Sequence, residues 1–66
     1  MIQRYRVTGL AADSATAVVK AVETLTMVDR ALVDVEAGEL VVEGEAEENA
    51  IRDVASAAGV ALADRL

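Results

Sequence analysis

Two amphipathic helices with the same apolar spacing, offset by 33 residues, constrain this chain most strongly. Apolar residues recur at i, i+3, i+4 and i+7 in each, which places them on one helical face; they are Val18, Ala21, Val22 and Leu25 in the first, and Ile51, Val54, Ala55 and Ala58 in the second. A short β-rich run ending in glycine precedes each helix, Val7-Thr8-Gly9 and Val42-Glu43-Gly44. The sequence therefore predicts two similar strand–helix units.

The remaining segments complete a six-element order. Alternating or β-rich runs predict strands at 2–7, 28–35, 39–43 and 60–63, and the helices are predicted from about Ser14 and over 46–58. Ala37-Gly38 between two such runs indicates a hairpin, and Ser14 or Asp13 is expected to cap the first helix. The order β-α-β-β-α-β predicts an α+β, ferredoxin-like sandwich with one four-stranded antiparallel sheet and both helices on one face. All of residues 1–66 are assigned to one domain.

The charge balance excludes several classes of partner. Twelve acidic side chains against six basic ones give a net charge of −6, which disfavours binding to nucleic acid phosphates or to anionic membrane surfaces. An acidic surface suits a basic partner or simply aids solubility. No apolar run approaches the length of a membrane span and no signal peptide is visible, so we expect a cytoplasmic protein without membrane insertion.

The second half of the chain carries the clearest resemblance to a known family. The segments V-D-V-E-A-G-E-L-V-V-E-G-E-A at 33–46 and A-I-R-D-V-A-S-A-A-G-V at 50–60 resemble the heavy-metal-associated domain, the fold of copper chaperones and of the N-terminal domains of metal-pumping ATPases. In that family a Gly turn, Val-Glu-Gly and a helix are followed by Ala-Gly and an aromatic residue, whose place Val60 takes here. The resemblance covers nearly the whole chain and implies a ferredoxin-like fold.

The family's functional motif, Gly-Met-Thr-Cys-x-x-Cys, lies between the first strand and the first helix. Gly9 and Leu10 match its Gly and Met, but the chain contains no cysteine. Counting forward from Gly9 puts the two ligand positions on Ala12 and Ala15. Counting back from Val28 along the helical stripe puts them on Ala11 and Ser14. The difference of one indicates that this loop has lost a residue, which argues against a simple replacement of cysteines.

The missing thiols and imidazoles limit the chemistry. Cu(I) selects soft sulfur ligands, and zinc is bound by Cys, His or carboxylate in a four-coordinate site. The chain has no histidine, and its only sulfurs, Met1 and Met27, lie outside the loop. Asp13 with Ser14 offers at most a weak oxygen site for a hard cation, so we expect no metal and no cofactor. No nucleophile–base pair or phosphate-binding glycine loop is present, so no catalytic residue is assigned and no enzymatic activity is expected.

The face of the sheet opposite the helices is a candidate docking surface. Alternation puts Tyr5, Val7, Leu40 and Val42 toward the helices, together with Ala31, Val33 and Val35, and leaves the other face to Arg4, Arg6, Leu32, Asp34, Glu39, Val41 and Glu43. Strand 1 is expected to pair with strand 3, so arginines lie beside glutamates. The predicted interaction residues are those of this face and the first loop: Arg4, Arg6, Leu32, Val41, Gly9 and Leu10.

Three functional hypotheses remain open at this point. The first is a heavy-metal-associated-like domain without thiol ligands, a monomer that acts as a protein-interaction or regulatory module and docks on a protein partner such as a metal-transport protein. The second is a copper or zinc trafficking domain with replaced or non-standard ligands. The third is an ACT-type regulatory domain, which shares the element order and binds small ligands at oligomer interfaces, and it rests on fold analogy alone.

Overall fold

The computed structural model describes residues 2–66, which form six elements in the predicted order. They are β1 (Ile2–Thr8), α1 (Ala12–Glu23), β2 (Val28–Asp34), β3 (Glu39–Gly44), α2 (Glu48–Ala57) and β4 (Ala61–Arg65). The four strands form one sheet in the order β2-β3-β1-β4, and every neighbouring pair is antiparallel. The α+β, ferredoxin-like fold class is therefore confirmed, including the pairing of β1 with β3.

An aliphatic core fills the space between the sheet and the two helices. In β1 burial alternates residue by residue, as a sheet covered on one face requires. Each fully buried aliphatic side chain contributes about 1.5–3 kcal/mol to folding. The largest fully buried side chains are Tyr5, Leu40, Ile51, Val18, Val22, Val42 and Val60. Both predicted helical stripes contribute to this core, although Val54 and Leu25 are only partly buried against it.

Element boundaries differ from the sequence prediction at both helices and at β4. Helix α1 begins at Ala12 rather than near Ser14, and α2 begins at Glu48 rather than Ala46. Ala46 is buried in the core cluster, so it precedes the helix as a packed loop residue. Strand β4 runs from Ala61 to Arg65, so it begins one residue later and ends two residues later than predicted. Val60 packs into the core ahead of the strand.

The hairpin between β2 and β3 begins one residue earlier than predicted. The Asp34 carboxylate accepts the Ala37 backbone N–H at 3.1 Å, and the Asp34 carbonyl accepts the Gly38 N–H at 2.8 Å. These bonds close the turn, so β2 ends at Asp34. Val35 lies in the turn and is exposed, and its predicted place on the buried face is wrong.

A polar group from α1 covers part of the β2 edge of the sheet. The Glu23 carboxylate, near the end of α1, accepts the backbone N–H of Ala31 at 3.2 Å. Strand β2 is an outer strand, so this amide has no neighbouring strand to bond. The side chain thereby satisfies a donor that a sheet edge otherwise leaves open.

One polar network lies inside the core, beneath the start of α2. Gln3 is buried on the helix-facing side of β1, and its Nε2 donates to the Ala46 carbonyl at 3.0 Å. The Tyr5 hydroxyl donates to Oε1 of the same Gln3 side chain. Within the described chain, every buried side-chain nitrogen and oxygen has a hydrogen-bond partner. The network therefore ties β1 to the loop before α2 without leaving an unsatisfied group.

Gly44, at the end of β3, allows the chain to cross the Met27–Asp29 segment at very short range. Its φ is +140°, and an added Cβ would lie 2.2 Å from the Met27 carbonyl oxygen and 2.9 Å from the Val28 Cα. Backbone atoms cannot move aside as flexible side chains do. Only glycine fits here, so the glycine that ends β3 is fixed by packing as well as by conformation.

We expect Gly44→Ala to lower the free energy of unfolding by about 3 kcal/mol or more, because it adds a backbone clash to an unfavourable φ. Gly59→Ala is the matched control: Gly59 has φ +88° but no atom near the added Cβ, so it should cost about 1–2 kcal/mol. Urea denaturation of the three proteins measures the difference. Equal losses would contradict the close approach at Gly44.

A second prediction concerns stability at alkaline pH. Burial raises the pKa of Tyr5 above its usual 10.0; the nearby Glu48 also raises this pKa, and Arg65 opposes the shift. As the pH rises, the unfolded chain therefore loses the Tyr5 phenol proton at a lower pH than the folded chain does. The stabilisation from the neutral phenol is complete below pH 10.0 and is lost as the pH rises through the folded-state pKa.

Tyr5→Phe should remove this alkaline loss and cost about 1–3 kcal/mol near neutral pH, because the Gln3 Oε1 loses its donor. Unfolding free energies measured across the alkaline range on both proteins give the comparison. All other side chains are the same in the two proteins, so the difference between the two curves reports Tyr5 alone. Parallel curves would contradict the prediction.

Candidate functional site

Three turns meet at one end of the molecule, which we call the loop end: the loop at Gly9, the hairpin turn at Gly38 and the turn at Gly59. The Val7 N–H donates to the Gly38 carbonyl at 2.8 Å. Gly9 has φ +81°, and a Cβ there would lie 3.0 Å from the Gly59 carbonyl oxygen. The first loop is therefore held closely against the turn that precedes β4, and Gly9 is the residue that permits the contact.

Ser14 organises the first turn of α1 in a way that the sequence prediction missed. Ala11 is the N-cap residue, and its N–H donates to the Ser14 Oγ at 2.8 Å. The Ala11 carbonyl accepts the Ala15 N–H, also at 2.8 Å. Neither Ser14 nor Asp13 is the N-cap, so the predicted cap is wrong. Ser14 lies in the third helical position, from which its hydroxyl reaches back to the cap residue.

The structure places the two alternative ligand pairs in different surroundings. Ala15 is only 8% exposed and belongs to the buried stripe of α1 with Val18 and Val22. Ala11 is exposed and Ser14 is half-buried, and the hydrogen bond between them holds the two residues together at the surface. A ligand pair at 11 and 14 would therefore face outward, whereas position 15 faces the core.

The loop offers little to a metal ion. Across residues 2–66 no group of three or more His, Cys, Asp or Glu side chains is arranged to hold one. Asp13 is exposed on the first turn of α1. The Ser14 hydroxyl already accepts from Ala11 and lies within 3.2 Å of the Ala11 carbonyl and 3.4 Å of the Gly9 carbonyl. A carboxylate at a helix start is stabilised by the helix dipole without any ion.

Gly9 and Leu10, the two predicted interaction residues of the loop, differ in accessibility. Gly9 is exposed, whereas Leu10 is half-buried and packs against the core. Leu10 therefore shapes the loop from beneath. The exposed residues of the first loop and the start of α1 are Gly9, Ala11, Ala12 and Asp13.

The sheet surface opposite the helices, which we call the open face, has the predicted register. On β3, Val41 lies opposite Arg4 of β1, and Glu39 lies opposite Arg6 of β1. On its other side, Val41 lies opposite Leu32 of β2. Arg4, Arg6 and Leu32 are exposed, and Val41 is half-buried. The four predicted sheet residues therefore lie close together on one surface.

Ion pairs cross the strands of this face. Arg4 Nη2 lies 2.5 Å from Glu39 Oε1, Arg30 Nε 2.8 Å from Glu43 Oε2, and Arg6 Nη1 3.4 Å from Asp64 Oδ2. Five of the six side chains are more than a third exposed and the sixth, Glu39, is 22% exposed, so each pair contributes at most about 1 kcal/mol. Their main effect is to neutralise charge locally.

Four further residues lie on the open face, although the sequence analysis did not assign them to it. Arg30 opposes Glu43, Asp64 opposes Arg6 and Ile2 opposes Glu43, and the Leu66 N–H donates to the Arg4 carbonyl at 2.8 Å. Strict alternation along β1 and β2 was a sufficient signal for Ile2 and Arg30. Asp64 and Leu66 lie beyond the predicted end of the last strand, so strand alternation could not assign them to a face.

Within residues 2–66 no helix is long and apolar enough to cross a membrane. No family model matches the chain, and no curated protein does. Solved structures do match over nearly its full length.

Three of these structures define the relationship. The CopZ metallochaperone superposes with a TM-score of 0.89 at 19% identity, covering 96% of this chain and 100% of that one. A copper-binding domain from a P-type ATPase gives 0.81 at 20% identity, covering 97% and 95%. The substituted N-terminal domain described as the ZiaAN sub mutant gives 0.82 at 31% identity, covering 97% and 96%. The first two show the fold, and the third adds similarity in sequence.

The loop end, the strand order and the full-length similarity agree with the resemblance found in the second half of the sequence. No cysteine is present at either pair of ligand positions or elsewhere in the chain. The chain belongs to the heavy-metal-associated domain family and lacks that family's cysteine pair.

Proposed function

We propose that this chain is a single heavy-metal-associated domain that acts as a protein-interaction or regulatory module and does not carry metal. The observation behind this proposal is the contrast at the loop end. The backbone there is held by close contacts at Gly9 and by the bond between Ala11 and Ser14, while no thiol or imidazole is available to an ion. A domain that keeps this shape without the ligands retains a surface that a protein partner can recognise but cannot carry a metal ion.

The partner that we propose is a metal-transport protein. The structural neighbours include a metallochaperone and a copper-binding domain of a P-type ATPase, so proteins that recognise such domains are the first candidates. Docking would involve the loop end around Gly9 and Leu10, and the residues Arg4, Arg6, Leu32 and Val41 offer a second surface. We further propose that the protein is cytoplasmic and not an enzyme.

The competing function is metal trafficking through other ligands. It would need donors that the first loop does not supply, because Asp13 provides one carboxylate there and the Ser14 hydroxyl is engaged with the backbone. Zinc sites in proteins take four ligands, and Cu(I) requires soft ones. Metal binding therefore separates the two proposals directly.

We expect Cu(I) or Zn(II) at micromolar concentration to leave the NMR signals of residues 10–15 unchanged, because no set of ligands converges there. The measurement is a titration of the isotopically labelled chain followed through its amide shifts. Saturable shifts confined to this loop would overturn the metal-free proposal in favour of trafficking.

Introducing two thiols should create a stronger Cu(I) site at one pair of positions than at the other. Ala11→Cys with Ser14→Cys should bind Cu(I), because both side chains reach the surface of the first turn. The matched pair, Ala12→Cys with Ala15→Cys, should bind more weakly and lower stability, since a thiolate at position 15 would be buried against Val18 and Val22. Tighter binding by the second pair would mean that the loop has lost no residue.

A photo-crosslinking amino acid tests the docking surface. Placed at Ala11 in the full chain and activated in the native cells, it should capture a metal-transport protein, identified by mass spectrometry. The same group at Ala17, which is exposed on the middle of α1, should not capture it. Equal capture at both positions, or capture only of proteins unrelated to metal transport, would contradict the proposed partner.

A further inference from the structure

We propose that the open face of the sheet is a self-association surface, through which two copies of this chain pair sheet against sheet. This goes beyond the proposed function, because it assigns the second surface named there, the open face, to another copy of this chain and leaves the loop end accessible to the partner. It also departs from the monomer expected from the sequence.

An apolar stripe crosses the open face. Leu32 on β2 lies directly opposite Val41 on β3, and Val41 lies opposite Arg4 on β1. Ile2 is the next residue of β1 on the same face, diagonal to Val41 and 62% exposed. Leu66, whose N–H bonds the Arg4 carbonyl, extends the stripe past β1. Directly opposed side chains on one sheet face touch, and long side chains also reach their diagonal neighbours.

The clustering is selective. Across the described residues the large exposed hydrophobic side chains are five, and three of them, Ile2, Leu32 and Leu66, belong to this stripe. The other two, Met27 and Val35, lie in separate connections between elements. Contiguous exposed apolar surface on a small protein commonly marks a contact surface, whereas scattered residues do not.

Charge favours a second copy as the occupant. The open face carries three of the chain's six basic side chains (Arg4, Arg6 and Arg30) but only four of its twelve acidic ones (Asp34, Glu39, Glu43 and Asp64). Its net charge is thus −1, against −5 for the rest of the molecule. Two identical acidic molecules repel each other least when they meet through these faces.

The charges of the open face would cost less to cover in such a contact as ion pairs than as free ions. Each of its arginines already has a carboxylate partner within the same chain. A second copy that covers these pairs buries locally neutral groups rather than free ions. The apolar stripe between the pairs provides the attraction, since burial of apolar area is favourable without any directed bond.

The size of the face limits the affinity. Four strands about 4.8 Å apart make a surface roughly 20 Å wide, consistent with principal extents of 25 × 21 × 17 Å for the whole molecule. A standard interface buries about 800 Å² per partner, and one sheet face of this size supplies roughly half of that. The pair should therefore form at high micromolar concentration, and the dilute chain should be monomeric.

Sedimentation velocity on the intact chain, from about 10 μM to 1 mM, tests the inference. The weight-average mass should rise toward that of a dimer. Leu32→Asp should raise the dissociation constant at least about tenfold, because it places an unpaired carboxylate in the stripe. Met27→Asp is the matched control, since Met27 is 54% exposed against 49% for Leu32 and the charge change is identical. It should alter the constant less than about threefold.

The salt dependence of the pairing is an independent test of the proposal. Raising sodium chloride from about 20 to 300 mM should strengthen the pairing, because screening reduces the repulsion between two chains of net charge −6. Circular dichroism checks that each variant is folded, and Ile2→Asp replaces Leu32→Asp if the latter is not. A wild-type chain that stays monomeric at 1 mM, equal effects of Leu32→Asp and Met27→Asp, or weakening by salt would each overturn the proposal. None of these outcomes bears on the metal-transport partner, which is tested at Ala11.

Discussion

Both helices pack on one side of the sheet, because each carries a single apolar stripe and strand–helix–strand crossovers are right-handed as a rule. Val18 and Val22 of α1 and Ile51 of α2 share one core with Leu40 and Val42 of the sheet. With no Phe or Trp in the chain, this aliphatic packing has to supply most of the stability. One face of the sheet is covered by the helices as a result, and the other face is exposed.

The same arrangement decides where chemistry can occur. The loop end is built from three turns in backbone contact, so its shape depends on Gly9 and on the first turn of α1 rather than on a bound ion. In this domain, which shares its fold with a metallochaperone, the framework does not depend on the ligand pair. Here the hydroxyl of Ser14 stabilises the helix start, a structural role that does not need metal.

The sequence predicted the element order, the antiparallel sheet and the pairing of β1 with β3, because alternation and helical periodicity are local signals that tertiary packing here reinforces. The prediction failed at element boundaries that depend on contacts with other residues. The start of α2 depends on Gln3, 43 positions from Ala46, whose carbonyl it binds. The start of α1 was missed because Ala11 is not a typical N-cap residue and Ser14 acts from three positions downstream. Burial of Ala15 bears on the choice between the two ligand counts, which the sequence left open.

The bond from Glu23 to the Ala31 amide bears on how this protein avoids uncontrolled assembly. A strand arriving along the β2 margin would have to displace a carboxylate that is already hydrogen-bonded there. Fibre-like growth from that margin is therefore discouraged by a side chain that comes from a neighbouring helix. A small, acidic, aliphatic domain can in this way remain a discrete particle even when crowded.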